Sequence, residues 1–202
     1  FMVGLAAVLS QFLGHQLHKD RRELAELAAH LEINVLGEPI GKQDQYAAAY
    51  GGLNLIEFHA DQVTVTPIVL SAALKKAFCD HLLVFYTGKG RSATGNSRAL
   101  QQNLESDEKK FLRLKELADL AVPFAKKLVK GDWPAVGELL HESWLLKQKT
   151  SGLISNAKID DLYKTARRAG ALGGKILGAG GGGFMLFFAP PAAHERLRRA
   201  LG

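Results

Sequence analysis

Residues 175–188 read Lys-Ile-Leu-Gly-Ala-Gly-Gly-Gly-Gly-Phe-Met-Leu-Phe-Phe, and no other stretch constrains the fold as tightly. Gly178, Gly180 and Gly183 satisfy G-x-G-x-x-G, the pattern of a dinucleotide-binding turn. That pattern cradles a pyrophosphate only where a strand precedes it, a helix opens on it, and an acidic residue follows about 20 positions on. Here an apolar β-type run follows Gly183 and is closed by Pro190-Pro191. The acidic position falls in the helix-like His194-Glu-Arg-Leu-Arg. The context is strand, loop, strand, and the dinucleotide reading fails. Four consecutive glycines nevertheless exceed what a turn needs, since each adds backbone entropy that folding must overcome. Bare backbone approaching a ligand and close packing against another segment both remain open.

The rest of the chain sorts into helices and hairpins. Phe1 to Leu17 is apolar and rich in small residues, which predicts a helix packed deep in a core. Asp20 is a candidate N-cap for a helix over 21–36, with Leu24, Leu27, Leu31 and Val35 on its apolar stripe, ended by Gly37-Glu-Pro39. Asp44 to Tyr50 reads as a short Ala-rich helix closed by Gly51-Gly52. Strands follow at 53–58 and 63–67 around the loop His59–Gln62, and a buried strand at 81–86 precedes the polar stretch 87–97. Helices are predicted at 99–130, broken at Pro123, then at 133–147, 156–169 and 191–201. This mixture predicts an α+β fold and not a regular βαβ alternation.

Two carboxylates stand out. On a helical wheel, Arg22, Glu23, Glu26 and His30 fall on the wet side of the 21–36 helix, whereas Glu32 lies at the edge of the apolar stripe, between Ala25, Ala28 and Leu36. A carboxylate there needs a partner or a cation, because unpaired burial is costly; a salt-bridged boundary residue meets that need too. Asp44 opens the next helix, where capping and the helix dipole favour an acid, and Ala47-Ala48-Ala49 would let that helix lie close against a neighbour. One carboxylate to hold Mg²⁺, one to take a proton, and a glycine loop suit phosphoryl transfer.

A net charge of +6 favours anionic partners, but the basic residues occur as dispersed pairs such as Arg21-Arg22 and Arg198-Arg199 with no aromatic interleaving, which argues against nucleic acid. The single Cys79 allows no internal disulfide and fits a reducing, cytoplasmic setting. No His shows metal-ligand spacing, and no apolar run approaches a membrane span of about 20 residues.

The block Gly41-Lys-Gln-Asp-Gln-Tyr-Ala-Ala-Ala-Tyr-Gly-Gly52, together with Gly178-Ala-Gly-Gly-Gly-Gly-Phe184, resembles the GHMP small-molecule kinase family. That family includes galactokinase, homoserine kinase, mevalonate kinase and phosphomevalonate kinase. The similarity runs over essentially the whole chain and is strongest to the bacterial heptose 7-phosphate branch, with fucokinases behind it. It implies a two-lobed α+β fold, with a ribosomal-protein-S5-like N-terminal half over 1–70, incomplete here, and a ferredoxin-like C-terminal half over 71–202. The implied activity is transfer of the γ-phosphoryl of ATP, with Mg²⁺, to the anomeric hydroxyl of D-glycero-D-manno-heptose 7-phosphate, for surface-glycan synthesis.

By the same resemblance, Asp44 is the general base or orienter of the sugar hydroxyl and Glu32 the Mg²⁺ ligand. Gly178, Gly180, Gly181, Gly182 and Gly183 border the phosphates, while Lys42, Gln43, Thr87 and Arg91 contact the sugar. The implied partners are small molecules, a sugar phosphate and ATP, with a homodimer admitted and neither nucleic acid nor membrane. The family's Gly/Ser-rich ATP loop would precede the helix that matches Phe1 to Leu17, and its last strand would follow Leu201. The expectation is therefore a piece of a longer protein that alone neither binds ATP well nor turns over. Rival readings are a fucose or other sugar 1-kinase, for which Lys42, Lys89 and Arg91 discriminate, a non-catalytic sugar sensor, which could lose Asp44 or Glu32, and an unrelated structural domain.

Overall fold

The computed structural model describes residues 1–88, 108–150, 154–178 and 180–202. Helix α1 (Met2–Phe12) buries only the stripe Val3, Ala6 and Ser10, while Val8, Phe12 and Leu13 are exposed. The expected all-round burial is thus not what forms: α1 packs by one face, against α2, and stops at Leu13-Gly14, where Gly14 takes a positive φ. After a 3₁₀ turn (Leu17–Lys19), Asp20 accepts the N–H groups of Arg22 and Glu23 at 2.8 and 3.0 Å and so caps α2 (Arg21–Ala29) as expected.

The predicted continuous helix to Leu36 instead widens into a π turn over His30–Val35. The buried stripe is also displaced from the expected one. Leu24, Ala25, Ala28 and Ala29 are buried, and Val35 and Leu36 are 62% exposed. Small side chains at 25, 28 and 29 let α3 (Gln43–Tyr50) pack closely on α2. Of the alanines of α3 only Ala49 packs on the α1–α2 cluster, since Ala47 and Ala48 are exposed; Gln45 and Tyr46 are the buried residues of this helix. Gly51 and Gly52, both at positive φ, close α3 and lead into the antiparallel hairpin β1 (Asn54–Phe58) and β2 (Val63–Pro67), paired from Asn54↔Pro67 to Phe58↔Val63. These elements form one compact unit, Phe1–Val69.

The second unit, Leu70–Gly202, opens with α4 (Ala72–Asp80), capped by Ser71, which periodicity alone does not announce. Strand β3 (Leu82–Tyr86) pairs with β5 (Phe184–Phe188), and β5 pairs with β4 (Gly173–Ile176), giving an antiparallel sheet of order β3-β5-β4. Strand β3 is not buried throughout, because its side chains alternate between the two sheet faces: Leu83 is buried on the core face, but Val84 and Tyr86 on the other are more than half exposed. Helices α5 (Glu108–Asp119) and α6 (Ala121–Lys130) are separated at Leu120, three residues before the expected break. Pro123 sits in the first turn of α6, where its missing N–H costs nothing. Helices α7 (Trp133–Gln148) and α8 (Ala157–Arg168) are capped by Asp132 and Asn156, and α9 (His194–Leu201) follows a 3₁₀ turn at Pro191–Ala193.

Leu83, Met185, Phe187 and Ile176 on one sheet face pack with Trp144, Ile159, Tyr163, Ala166 and Leu197 into the core of this unit. Gly173 and Gly137 let β4 and α7 approach so closely that a Cβ on Gly173 would overlap the Gly137 carbonyl.

Candidate functional site

In the first unit the motif residues meet through α2, the π turn and α3. Glu32, half-buried in the π turn, accepts a hydrogen bond from the Gln45 Nε2 of α3. Gln45 is 3% exposed, and its Oε1 has no hydrogen-bond partner. Asp44, in the first turn of α3, is exposed, and no cation or donor pairs with it among the described residues. Gln43 is also exposed and folds its side chain back over Gly41.

Lys42 does not stand free, because its Nζ lies 3.2 Å from Glu26 Oε2. Glu26 is thus not simply on a wet face. It also accepts the hydroxyl of Tyr46, a fully buried side chain stacked on Tyr50 and edge-on to Phe58. The Tyr46 hydrogen bond, ahead of the Lys42 contact, holds the Glu26 carboxyl below its ordinary value against the opposing effect of burial. Burial and Glu26 together push the Tyr46 phenol upward.

In the second unit the glycine loop is tied down by its carbonyls. Lys147 Nζ donates to Gly178 O at 2.9 Å, Asn156 Nδ2 to Gly181 O at 3.4 Å, and Thr87 gives both its N–H and its hydroxyl to Gly183 O, at 2.8 and 3.0 Å. Gly181 N donates in turn to Ile154 O at 2.8 Å. Thr87 is therefore buried, with its donors spent on the loop. The glycines divide between the two roles left open above. A Cβ on Gly180 would stand 2.9 Å from the Cα of Ile154, so this position serves packing. Gly178 and Gly183 face open space, with positive φ of 69° and 94°. Gly181 has positive φ as well, and Gly182 is half-buried. Lys89 and Arg91 lie outside the described residues.

Two models of a single family match this chain: "GHMP kinases N terminal domain" over residues 1–52 and "GHMP kinases C terminal" over residues 124–202. The chain belongs to the GHMP kinase family. It is 31% identical, over 99% of its length and 58% of the relative's, to the D-glycero-alpha-D-manno-heptose 7-phosphate kinase of Campylobacter jejuni. It is 29% identical, over 91% of its length and 18% of the relative's, to the bifunctional fucokinase/GDP-fucose pyrophosphorylase of Arabidopsis thaliana. A crystal structure of a D-glycero-D-manno-heptose 1-phosphate kinase from Bacteroides thetaiotaomicron matches with a TM-score of 0.66 at 27% identity, covering 96% of this chain and 52% of that one. The chain spans little more than half the length of the heptose kinases it matches.

On this GHMP kinase chain the N-terminal match carries Glu32, Lys42, Gln43 and Asp44, and the C-terminal match carries the glycine loop. Thr87 lies between the two matches. Mg²⁺, which the family implies, finds a fitting group in Glu32, a half-buried carboxylate with no ion pair among the described residues, beside an amide whose Oε1 is unsatisfied. No three His, Cys, Asp or Glu side chains cluster among the described residues, so no all-protein cage exists there. A single carboxylate suits a cation that takes its remaining oxygens from phosphates and water.

Sequence reading missed Glu26, Gln45, Tyr46 and the lysines beside the loop. Gln45 and Tyr46 stood inside the quoted block, and their burial was signalled only by the small residues facing them on α2. No helix among the described residues is long and apolar enough to cross a membrane.

Proposed function

We propose that this chain carries the sugar-phosphorylating machinery of an ATP-dependent kinase acting on D-glycero-D-manno-heptose 7-phosphate at its anomeric hydroxyl, in surface-glycan precursor synthesis in the cytoplasm. The observation that carries this reading is the pairing of Glu32 with Gln45, whose neighbour in the chain, Asp44, is exposed and has no partner among the described residues. The dipole at the first turn of α3 steadies the Asp44 charge while leaving its oxygens available to an incoming hydroxyl.

In this mechanism Asp44 accepts a hydrogen bond from the anomeric hydroxyl at a carboxylate oxygen, aligns it, and takes its proton as the oxygen attacks the γ-phosphorus of ATP, while the bond from that phosphorus to the β,γ-bridging oxygen breaks and ADP leaves. Glu32 would hold Mg²⁺, which when bound neutralises charge on the transferring phosphoryl group. Gln45 fixes the Glu32 carboxylate by donating to one of its oxygens, so little reorganisation is needed when a cation arrives. The glycine loop offers backbone with no side chain in the open space at Gly178 and Gly183. Its carbonyls are held by Lys147, Asn156 and Thr87, which fixes its course before substrate binds.

Turnover of the intact protein with ATP and D-glycero-D-manno-heptose 7-phosphate, compared with fucose and galactose, tests the reading. Preference for the heptose phosphate supports it, and no sugar phosphorylation at all defeats it. For the fucose-type alternative, Lys42 lies 3.2 Å from Glu26 in an exposed pair, and the other two discriminating residues, Lys89 and Arg91, lie outside the described residues. Faster turnover of fucose than of the heptose phosphate would establish that alternative.

A further inference from the structure

Helix α3 begins weakly. Lys42 occupies its N-cap position and makes no side-chain capping bond, so the N–H groups of the first turn lack the acceptor that other helices of the chain receive. At eight residues α3 is also shorter than a helix that stands by itself in water. Asp44 lies in this uncapped turn, and its direction depends on whatever else holds the turn in place.

One carboxylate of α2 does so. Lys42 Nζ donates to Glu26 Oε2 at 3.2 Å, and the Tyr46 hydroxyl donates to Glu26 Oε1. The Tyr46 N–H donates in turn to Lys42 O at 3.2 Å, which joins the two holders through the backbone of the same turn. Glu26 thereby closes a ring around residues 42–46 with Asp44 at its midpoint. Lys42 and Tyr46, four residues apart, share the face of α3 turned towards α2. Asp44, two residues from each, stands about half a turn of helix away and is exposed. A rotation of α3 that broke the Glu26 contacts would swing Asp44 by the same angle.

Arg21 also ties the helix, donating to Tyr50 O at 3.0 Å, and so does Gln45, donating to Glu32. Of these holders Glu26 alone grips α3 at two points. The Lys42 arm is open to water and adds little by itself; the Tyr46 side chain is fully buried and is the stiff arm. Stability would be served more simply by other residues. Ser, Thr, Asp or Asn at 42 would cap the turn. Phe at 46 would keep the ring against Tyr50 and Phe58 with no buried hydroxyl to satisfy. A buried phenol answered by a carboxylate fixes one orientation in place of many.

We propose that Glu26 is a positioning residue: by gripping Lys42 and Tyr46 it sets the rotation of α3 about its axis, and with it the direction in which Asp44 meets the sugar hydroxyl. The setting of α3 stands on these contacts; its bearing on phosphoryl transfer rests on the kinase reading.

Tyr46→Phe in the intact protein releases the stiff arm and keeps the ring. With ATP and the sugar that the wild type turns over fastest, its kcat is expected to fall about tenfold while both KM values stay within about twofold, since a displacement of about 1 Å at a reacting group costs up to about 100-fold. Asp132→Ala, which removes the cap of α7 and so loses stability away from α3, should keep its kcat. In an Asp44→Asn background Tyr46→Phe should lower the residual kcat no further, because its effect is carried by Asp44. An unchanged kcat in Tyr46→Phe, a loss matched by Asp132→Ala, a change confined to KM, or an equal fall in both backgrounds overturns the positioning role. If Tyr46→Phe does not fold, Glu26→Gln, which weakens the Lys42 arm, takes its place in the same comparison. Amide hydrogen exchange over residues 42–50 needs no turnover: it should quicken in Tyr46→Phe and not in Asp132→Ala. If the wild type phosphorylates no sugar yet that difference is seen, the kinase reading falls and the setting of α3 stands. Equal exchange in wild type and Tyr46→Phe overturns the setting of α3, whatever the enzyme turns over.

Discussion

The α2–α3 region and the glycine loop hold functional groups in place by opposite means. In the first, side chains do the holding: Gln45 grips Glu32, Tyr46 and Lys42 grip Glu26, and Asp44 has no partner among the described residues. In the second, the held groups are backbone carbonyls, and the holders come from three separate elements through Lys147, Asn156 and Thr87. A carboxylate can be positioned from a neighbouring helix because it presents two acceptors. A glycine has no side chain to grip, so its peptide must be held. The first region should therefore be sensitive to side-chain chemistry and the second to backbone shape.

The largest expected effect lies in the first region. Asp44→Asn should lower turnover of the intact protein by about 10²–10⁴-fold, the usual worth of a positioned proton acceptor. Because Asp44 is exposed and has no partner among the described residues, the melting curve should stay within about 0.5 kcal/mol of wild type. A folded variant with normal kcat would break the comparison.

In the second region, Gly180→Ala should destabilise by about 3 kcal/mol, since its Cβ meets Ile154 backbone at a φ of +90°. Gly178→Ala, with a φ of +69° but open space around it, should cost only about 1 kcal/mol. Urea titration of the two variants sharpens the division of the loop into a packing glycine and solvent-facing ones. Equal losses would erase that division.

A smaller effect comes from Tyr46→Phe, which removes the hydroxyl donated to Glu26 and should cost about 1 kcal/mol near neutral pH. Glu26 is held below the ordinary 4.5, so its contribution is complete above that value and is lost as pH falls through the lower folded-state value. The gap between wild type and Tyr46→Phe should accordingly close as pH falls through that lower folded-state value. The loop region has the opposite limb. Lys147 titrates at about 8 in the fold against an ordinary 10.5, so the unfolded chain binds more protons across that interval and stability rises with pH there. Lys147→Met should flatten this alkaline rise, as seen in melting temperatures between about pH 8 and 10.5.

Much of this was legible from residues alone. The Asp20 cap, the α3 helix closed by Gly51-Gly52, the hairpin around His59–Gln62 and the strand–loop–strand at the glycines all follow from local chemistry, and each forms within a residue or so of its expected place. What was illegible depends on contacts distant in the chain. The π turn at His30–Val35, which no 3.6-residue wheel anticipates, follows α2 and leaves the expected stripe residue Val35 exposed, while within α2 Ala25 and Ala28 are buried beside Leu24. Glu26 looked solvated on that wheel because Tyr46 and Lys42 arrive from another helix. Lys147 and Asn156 gave no sign of their role, since both meet the loop only after the sheet and α7 have packed.

The central claim is that Asp44, the chain neighbour of the Gln45 that pairs with Glu32, serves phosphoryl transfer to a sugar. ³¹P NMR of the intact protein with ATP and D-glycero-D-manno-heptose 7-phosphate tests it most directly. The expected result is a new phosphate resonance coupled to the anomeric proton, formed by wild type and missing from Asp44→Asn. Formation of that resonance at the wild-type rate in Asp44→Asn, or its absence with the wild type for every sugar tried, would contradict the claim.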